Sequence, residues 1–196
     1  MKRLTSFLLI LWAVATLFTA CKQGNKQQST DSSYNLEANS PSEAQTMAMY
    51  IKLMSSFNPN WEIEEPAADD YPDYFGGAFM GNDNQLVVCI AGDTAQYRNT
   101  IAEIVESDMF RLEACTYSYR DMMLVMDQID AFLSNPNVPH DHPFINNFTG
   151  ALADVFTNRV IIRVETINDT IVNSFKKDIT DSPIVQFEEG GMPEML

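Results

Sequence analysis

Basic residues are scarce in this sequence. Its 196 residues include 12 lysines and arginines against 27 aspartates and glutamates, so the net charge is −15 with histidine neutral. A surface with this excess of carboxylates repels nucleic acid and anionic lipid headgroups. We therefore exclude DNA and RNA as partners.

Signatures of catalysis are also lacking. The sequence has no G-x-S-x-G elbow, no glycine-rich phosphate loop and no dinucleotide fingerprint. Its only histidines, His140 and His142, lie two residues apart in PHDHP. Alternate side chains of an extended segment face the same way, so these imidazoles are candidate metal ligands. A third ligand is not evident nearby, and a polar loop flanked by prolines explains both histidines without a metal.

We therefore expect a protein that is not an enzyme and needs no cofactor. The alternative is a metal-assisted hydrolase that uses His140 and His142.

The acidic segment 61–73 could suggest calcium, but it lacks the ligand spacing and central glycine of an EF-hand loop. We interpret it as a solvated connecting loop.

Long apolar runs are missing except near the N-terminus. Lys2 and Arg3 precede an apolar segment from Phe7 to Phe18, which is too short to span a membrane, and small residues follow it. This order predicts a bacterial secretion signal over residues 1–20. Residues 17–21, LFTAC, resemble the lipobox of bacterial lipoproteins. The resemblance implies that Cys21 is lipidated and becomes the mature N-terminus; the alternative is an ordinary signal cleaved near Ala20.

The segment after Cys21 predicts how the chain is held in the cell. Residues 21–39 are rich in Gln, Ser and Asn, which indicates a flexible tether between the lipid and a globular domain at 40–190. Residues 191–196 form a tail. Lys22 and Gln23 are not acidic, which resembles lipoproteins sent to the outer membrane. We expect a cell-envelope location on that membrane, facing the periplasm, with a cell-surface orientation as the alternative.

Only two other cysteines are present. Cys89 and Cys115 both fall in predicted core strands, and an oxidising compartment would allow them to pair. Free buried thiols would instead act as small apolar side chains. The sequence leaves both states open, because pairing depends on the Cα separation.

Hydrophobic periodicity predicts the order helix, hairpin, helix, strand, and then the same order again. The hairpins are predicted at residues 74–91 and 150–164, with turns at 81–84 and at Thr157-Asn158. Helix starts are predicted at a capping box over residues 40–43, at Asp93, at Ser118 and at Asp169. Hairpins supply antiparallel pairs that helices can cover, so we expect a single α+β domain with an antiparallel sheet of two hairpins and added strands.

Three groups of residues together resemble a known family. They are residues 74–78 with 86–88, residues 115–118 at a helix start, and Asp154 with residues 158–162. In this order they resemble the pro-domains of α-lytic-protease and streptogrisin-type serine proteases, over residues 71–188. The resemblance implies a non-catalytic module that inhibits its protease and helps it fold. No protease domain follows Leu196 here, so we expect the partner to be a separate envelope protease; a purely structural envelope role is the alternative.

Two short motifs have competing interpretations. Asp93-Thr94-Ala95 and Asp169-Thr170-Ile171 resemble the sites of O-linked glycans on exported proteins of some bacteria. Both also lie at predicted helix starts, where Asp and Thr are favoured as caps. We prefer the cap interpretation.

Overall fold

A computed structural model describes residues 41–64 and 66–190, and these residues all fall in one compact unit. The α+β class is confirmed. The helices are α1 (Glu43–Phe57), α2 (Thr94–Val105), α3 (Tyr119–Leu133) and α4 (Asp169–Asp178). The strands are β1 (Phe75–Met80), β2 (Leu86–Ala91), β3 (Phe110–Cys115), β4 (Phe148–Asp154), β5 (Arg159–Val164) and β6 (Val185–Glu189). The predicted signal, tether and tail lie outside the described residues.

The strands form two sheets of three, in the orders β1-β2-β3 and β4-β5-β6. Both predicted hairpins are confirmed, because β1 pairs antiparallel with β2 and β4 pairs antiparallel with β5. The added strand in each sheet differs from the expectation of one antiparallel sheet, since β3 joins β2 in parallel and β6 joins β5 in parallel. The physical reason is the intervening helix: a strand that returns through α2 or α4 re-enters in the same direction.

The same unit of helix, hairpin, helix and strand therefore occurs twice. We call residues 41–64 and 66–115 the N-half, residues 119–190 the C-half, and residues 116–118 the segment that joins them. The equivalence extends to details, because the first strand of each hairpin has an irregular register at its start, between Phe75 and Gly77 and between Phe148 and Gly150. In each half the helices cover one face of the sheet and leave the other face to be covered from elsewhere.

Helix caps explain where the helices begin. The side-chain oxygen of Ser42 accepts a hydrogen bond from Gln45 N (3.3 Å), and Gln45 Oε1 accepts one from Ser42 N (2.8 Å). Ser118 and Asp121 make the equivalent box at α3. These pairs satisfy backbone N–H groups that a helix start leaves free. The first box is thus centred on Ser42 and not on residue 40.

The cap of α4 corrects a second expectation. Asn168, and not Asp169, caps this helix, because its Oδ1 accepts a hydrogen bond from Ile171 N (3.0 Å). Asp169 is the first helical residue, where a carboxylate is favoured by the helix dipole. Asp93 caps α2 as predicted, with Oδ1 accepting from Ala95 N (2.9 Å).

Each half has its own apolar core between the sheet and its helices. In the N-half the inward side chains of β2 meet α1 and α2. In the C-half those of β5 meet α3 and α4. The fully buried members include Leu53, Leu86, Ile90 and Ile101 in the first core and Met122, Ile129, Phe144, Ile162 and Phe175 in the second.

The glycine pair in β1 lies where two chain segments meet. Gly77 has φ +116°, which favours glycine, and a Cβ there would lie 2.4 Å from Val155 Cγ1 in the C-half. A Cβ on Gly76 would lie 2.1 Å from Cys115 Sγ. Both positions therefore require a residue without Cβ.

Replacing Gly77→Ala tests this close approach. Steric overlap with Val155 and the left-handed φ together predict a loss of at least about 2 kcal/mol in the free energy of unfolding. Gly150→Ala is the matched control, since a Cβ there meets no heavy atom within 4 Å. The control is expected to be neutral or stabilising by up to about 1 kcal/mol in urea unfolding. Equal losses in the two variants would contradict the account.

Candidate interaction site

The β4–β5 turn reaches from the C-half to the N-half, and Asn158 fixes it there. Asn158 has φ +55° and is only 8% exposed. Its Oδ1 accepts hydrogen bonds from Thr116 N (2.9 Å) and Tyr117 N (2.8 Å), and its Nδ2 donates to Tyr117 O (2.9 Å). One amide thus satisfies three backbone groups of the segment that joins β3 to α3. We call these contacts the Asn158 clamp.

Arg159 extends the clamp. Its guanidinium lies 4.9 Å from the centre of the Tyr117 ring, and its Nη1 donates to Asn158 O (2.9 Å). A cation over an aromatic face gains about 0.5–1 kcal/mol at a partly exposed site. The Arg159 side chain therefore contacts both the β4–β5 turn and the segment that joins β3 to α3.

The acidic segment supplies a second connection between the halves. Arg120, at the start of α3, donates to Asp69 Oδ1 (2.6 Å) through Nη2 and to Asp73 Oδ1 (2.8 Å) through Nη1. Both carboxylates are largely exposed, so the stabilising effect of these pairs is small. The segment is more than a solvated loop, because it also positions Tyr71 with its ring 4.8 Å from that of Tyr119.

The tip of the β4–β5 turn presents an exposed aromatic side chain. Phe156 is 72% exposed, and its ring centre lies 4.6 Å from that of Phe79 on β1. Next to it, Val155 packs on Gly77. An exposed aromatic side chain that packs on a half-buried one, on a turn held in place by other contacts, is typical of a protein interface.

An apolar groove runs beside β1. A cavity of about 210 Å³ lies between α1 and this strand. Among the strands that the structure describes, β1 is an edge strand, because it pairs with β2 alone. Methionine, which adapts its shape to a partner, contributes to the lining, and Met47 is 47% exposed. The lining side chains are Thr46, Met47, Tyr50, Ala78, Phe79, Met80 and Leu86.

The groove and the edge strand together have the features that addition of an extended peptide strand requires. An edge strand offers unpaired backbone donors and acceptors, and the apolar lining offers pockets for alternate side chains of an added strand. No pattern in the sequence indicates this groove, because the groove requires α1 and β1 to lie side by side.

In the histidine loop, both ring nitrogens of His142 have partners within the protein. His142 Nδ1 accepts a hydrogen bond from Phe144 N (3.3 Å), so the neutral ring carries its proton on Nε2, which lies 3.2 Å from Asp178 Oδ2. The hydrogen bond to His142 lowers the pKa of Asp178. A metal would have to displace one of these partners. Within residues 41–64 and 66–190, no three His, Cys, Asp or Glu side chains come together as a ligand set.

The remaining predicted site residues are placed as follows. Cys21 lies outside the described residues, so its lipidation stays a prediction. Cys89 is buried and Cys115 half-buried, and both are free thiols. Thr94 is half-buried behind the Asp93 cap, whereas Thr170 is exposed. No helix in the described part combines the length and hydropathy needed to cross a bilayer.

Comparison with known protein families finds a match in each half. Residues 33–115 match the model of the Pro-like N-terminal domain, and residues 120–190 match the model of the Pro-like C-terminal domain. Between residues 33 and 190, only the segment 116–119, part of which is held by the Asn158 clamp, lies outside both matches. No curated protein matches the chain.

Removing the Asn158 side chain tests the clamp. Asn158→Ala leaves the part-buried N–H groups of Thr116 and Tyr117 without their acceptor and replaces an Asn, which tolerates positive φ, by a residue that tolerates it less well. We therefore expect a loss of about 3 kcal/mol in the free energy of unfolding. The matched control is Asn84→Ala, whose φ of +58° is similar but whose side chain is exposed. We expect about 1 kcal/mol from the control in urea unfolding. Similar losses would mean that the backbone conformation, and not the clamp, carries the effect.

Proposed function

We propose that this chain, which has a protease pro-domain-like fold in both halves, is a non-catalytic lipoprotein of the cell envelope that binds a protease. The observation that carries the proposal is the pair of matches to the N- and C-terminal Pro-like domains, in that order. Modules of this kind act by binding a protease and not by chemistry of their own. The engaged nitrogens of His142 agree with a non-catalytic role.

The groove beside β1 is our candidate for the protease contact. It combines an edge strand, an adaptable apolar lining and the exposed Phe156, which are the features that strand addition by an extended segment needs. A segment of a folded protease that adds to β1 would gain main-chain hydrogen bonds along the strand. Met47 and Phe156 would flank it from α1 and from the β4–β5 turn.

Such binding has two possible outcomes for the protease. A segment held in the groove as an added strand would block the enzyme if that segment borders its active site. Contacts with two protease elements at once would instead stabilise a folding intermediate of the protease. We propose inhibition, assistance to folding, or both, since each follows from one binding surface.

Lipidation at Cys21 places this activity at a membrane. The basic start, the short apolar segment and the LFTAC motif support export and acylation. Acyl chains anchor a soluble domain through buried methylene groups, and stable anchoring takes two or more chains. We propose the outer membrane, facing the periplasm, as the site where the module meets its protease.

The protease contact can be tested by capture followed by an activity assay. The lipidated chain, used as bait in detergent-solubilised envelope of its source bacterium, is expected to recover a protease whose hydrolysis of a peptide substrate falls when excess chain is added. Met47→Glu combined with Phe156→Ser is expected to raise the inhibition constant at least about tenfold, because a lost interface anchor costs about 1.4 kcal/mol or more. The control Ile63→Ser removes another exposed apolar side chain, 86% exposed and outside the groove lining, and should change nothing.

Recovery of a protease that the chain neither inhibits nor helps to refold from denaturant would overturn the proposal. A protease that is inhibited equally by the double variant would retain the function but move the contact away from the groove.

The anchor has its own test. Cys21→Ser is expected to shift the chain from the membrane fraction to the soluble periplasmic fraction, because no acyl chain can be attached. Cys115→Ser, which alters a cysteine inside the domain, should remain with the membrane. Mass spectrometry of the mature chain should show acyl groups on Cys21. A bare thiol there would contradict the anchoring, whatever the protease assay shows.

A further inference from the structure

The two cysteines of the N-half lie on one face of the same sheet. In the parallel pairing of β2 with β3, Cys89 is opposite Glu113 and Ala91 is opposite Cys115. Because side chains alternate along a strand, Cys89 and Cys115 point to the same side. They are diagonal neighbours on the face turned away from α1 and α2.

Gly76 brings the two side chains together. A Cβ on Gly76 would lie 2.1 Å from Cys115 Sγ and 3.3 Å from Cys89 Cβ. Both cysteines therefore reach the same point, and the sulfur of Cys115 occupies space that any other residue at position 76 would fill. Because residue 76 is glycine, no side chain lies between the two thiols.

A groove beside the pair gives a small reagent access to Cys115, whereas Cys89 is buried. Cys89 and Cys115 line a groove of about 290 Å³ between the N-half sheet and the β4–β5 turn. Cys115 is half-buried and is the last residue of β3. Diagonal neighbours lie farther apart than directly paired residues, and a disulfide needs Cα atoms within about 7 Å. Closing the disulfide therefore draws the end of β3 towards β2, against the hold of the Asn158 clamp on residues 116 and 117.

Burial makes both thiols weak acids. Burial, with smaller contributions from Cys115 and Glu113, raises the pKa of Cys89 to about 11, and burial also raises the pKa of Cys115. The thiolate is the nucleophile, so oxidation by a disulfide is slow at neutral pH and faster as the pH rises. Cys115, the more exposed thiol, attacks first.

We propose that Cys89 and Cys115 form a redox site that closes to a disulfide by exchange with a low-molecular-weight disulfide. The Cys115 thiolate attacks one sulfur of the reagent, forming a mixed disulfide and releasing one thiol. The Cys89 thiolate then attacks Cys115 Sγ, the Cys89–Cys115 bond forms and the second reagent thiol leaves. The protein loses two electrons and two protons, and the reagent gains them as two thiols.

The site is linked to the Asn158 clamp through one carbonyl. Cys115 Sγ–H donates to Tyr117 O at 3.4 Å, and Asn158 Nδ2 donates to the same oxygen. Oxidation removes the S–H donor and leaves Asn158 Nδ2 as the side-chain donor to that carbonyl. Formation of the Cys89–Cys115 disulfide thus removes one hydrogen bond to the Tyr117 carbonyl, which is also an acceptor in the Asn158 clamp.

The test uses the full chain with Cys21→Ser, so that two thiols remain. The chain is purified with reductant and then treated with oxidised glutathione at pH 8. We expect a mass lower by two hydrogens, a non-reduced peptide map in which the Cys89 and Cys115 peptides are joined, and a rise in Tm of about 5 °C or more. Reduction should reverse all three changes.

Two single variants serve as controls. Cys89→Ser and Cys115→Ser should each take up at most one glutathione as a mixed disulfide, without the rise in Tm. Persistent free thiols, two separate glutathione adducts or a disulfide between two chains in the treated parent would each overturn the proposal. This outcome is independent of protease binding and of lipidation.

Discussion

The amide of Asn158 is the contact on which the arrangement of the two halves depends. It satisfies three backbone groups of the segment between β3 and α3, and it does so from the β4–β5 turn of the C-half. A buried amide with all these partners has few alternatives, because any displacement leaves its own polar atoms and the part-buried N–H groups of that segment unpaired. Arg159 over Tyr117 and Arg120 between Asp69 and Asp73 add weaker connections at the same junction.

The repeated unit explains why such a contact is needed. Each half packs its helices on one face of a small three-stranded sheet and leaves the other face for a different element. In the N-half the C-half turn supplies part of this cover, with Val155 on Gly77 and Phe156 on Phe79. The same turn therefore fixes the junction and carries the exposed Phe156 side chain beside the groove.

This arrangement suits a module that acts by binding. Its edge strand, groove and exposed Phe156 lie on elements whose positions are held by the clamp and by two separate cores. A pre-ordered surface loses less conformational entropy when a partner binds, which favours affinity. The chain's excess of carboxylates adds a field that favours partners with basic surfaces.

The amino-acid sequence by itself determined the local structure: both hairpins, the α+β class, and the helix starts at Asp93 and Ser118 follow from periodicity, turn residues and caps. The division into two sheets, the parallel third strands, the groove beside β1 and the partners of Asn158 were decided by tertiary structure. Their physical reason is common: each depends on which distant segments lie side by side, and local propensity carries no information about a hydrogen bond to a residue some forty positions away, as between Asn158 and Thr116.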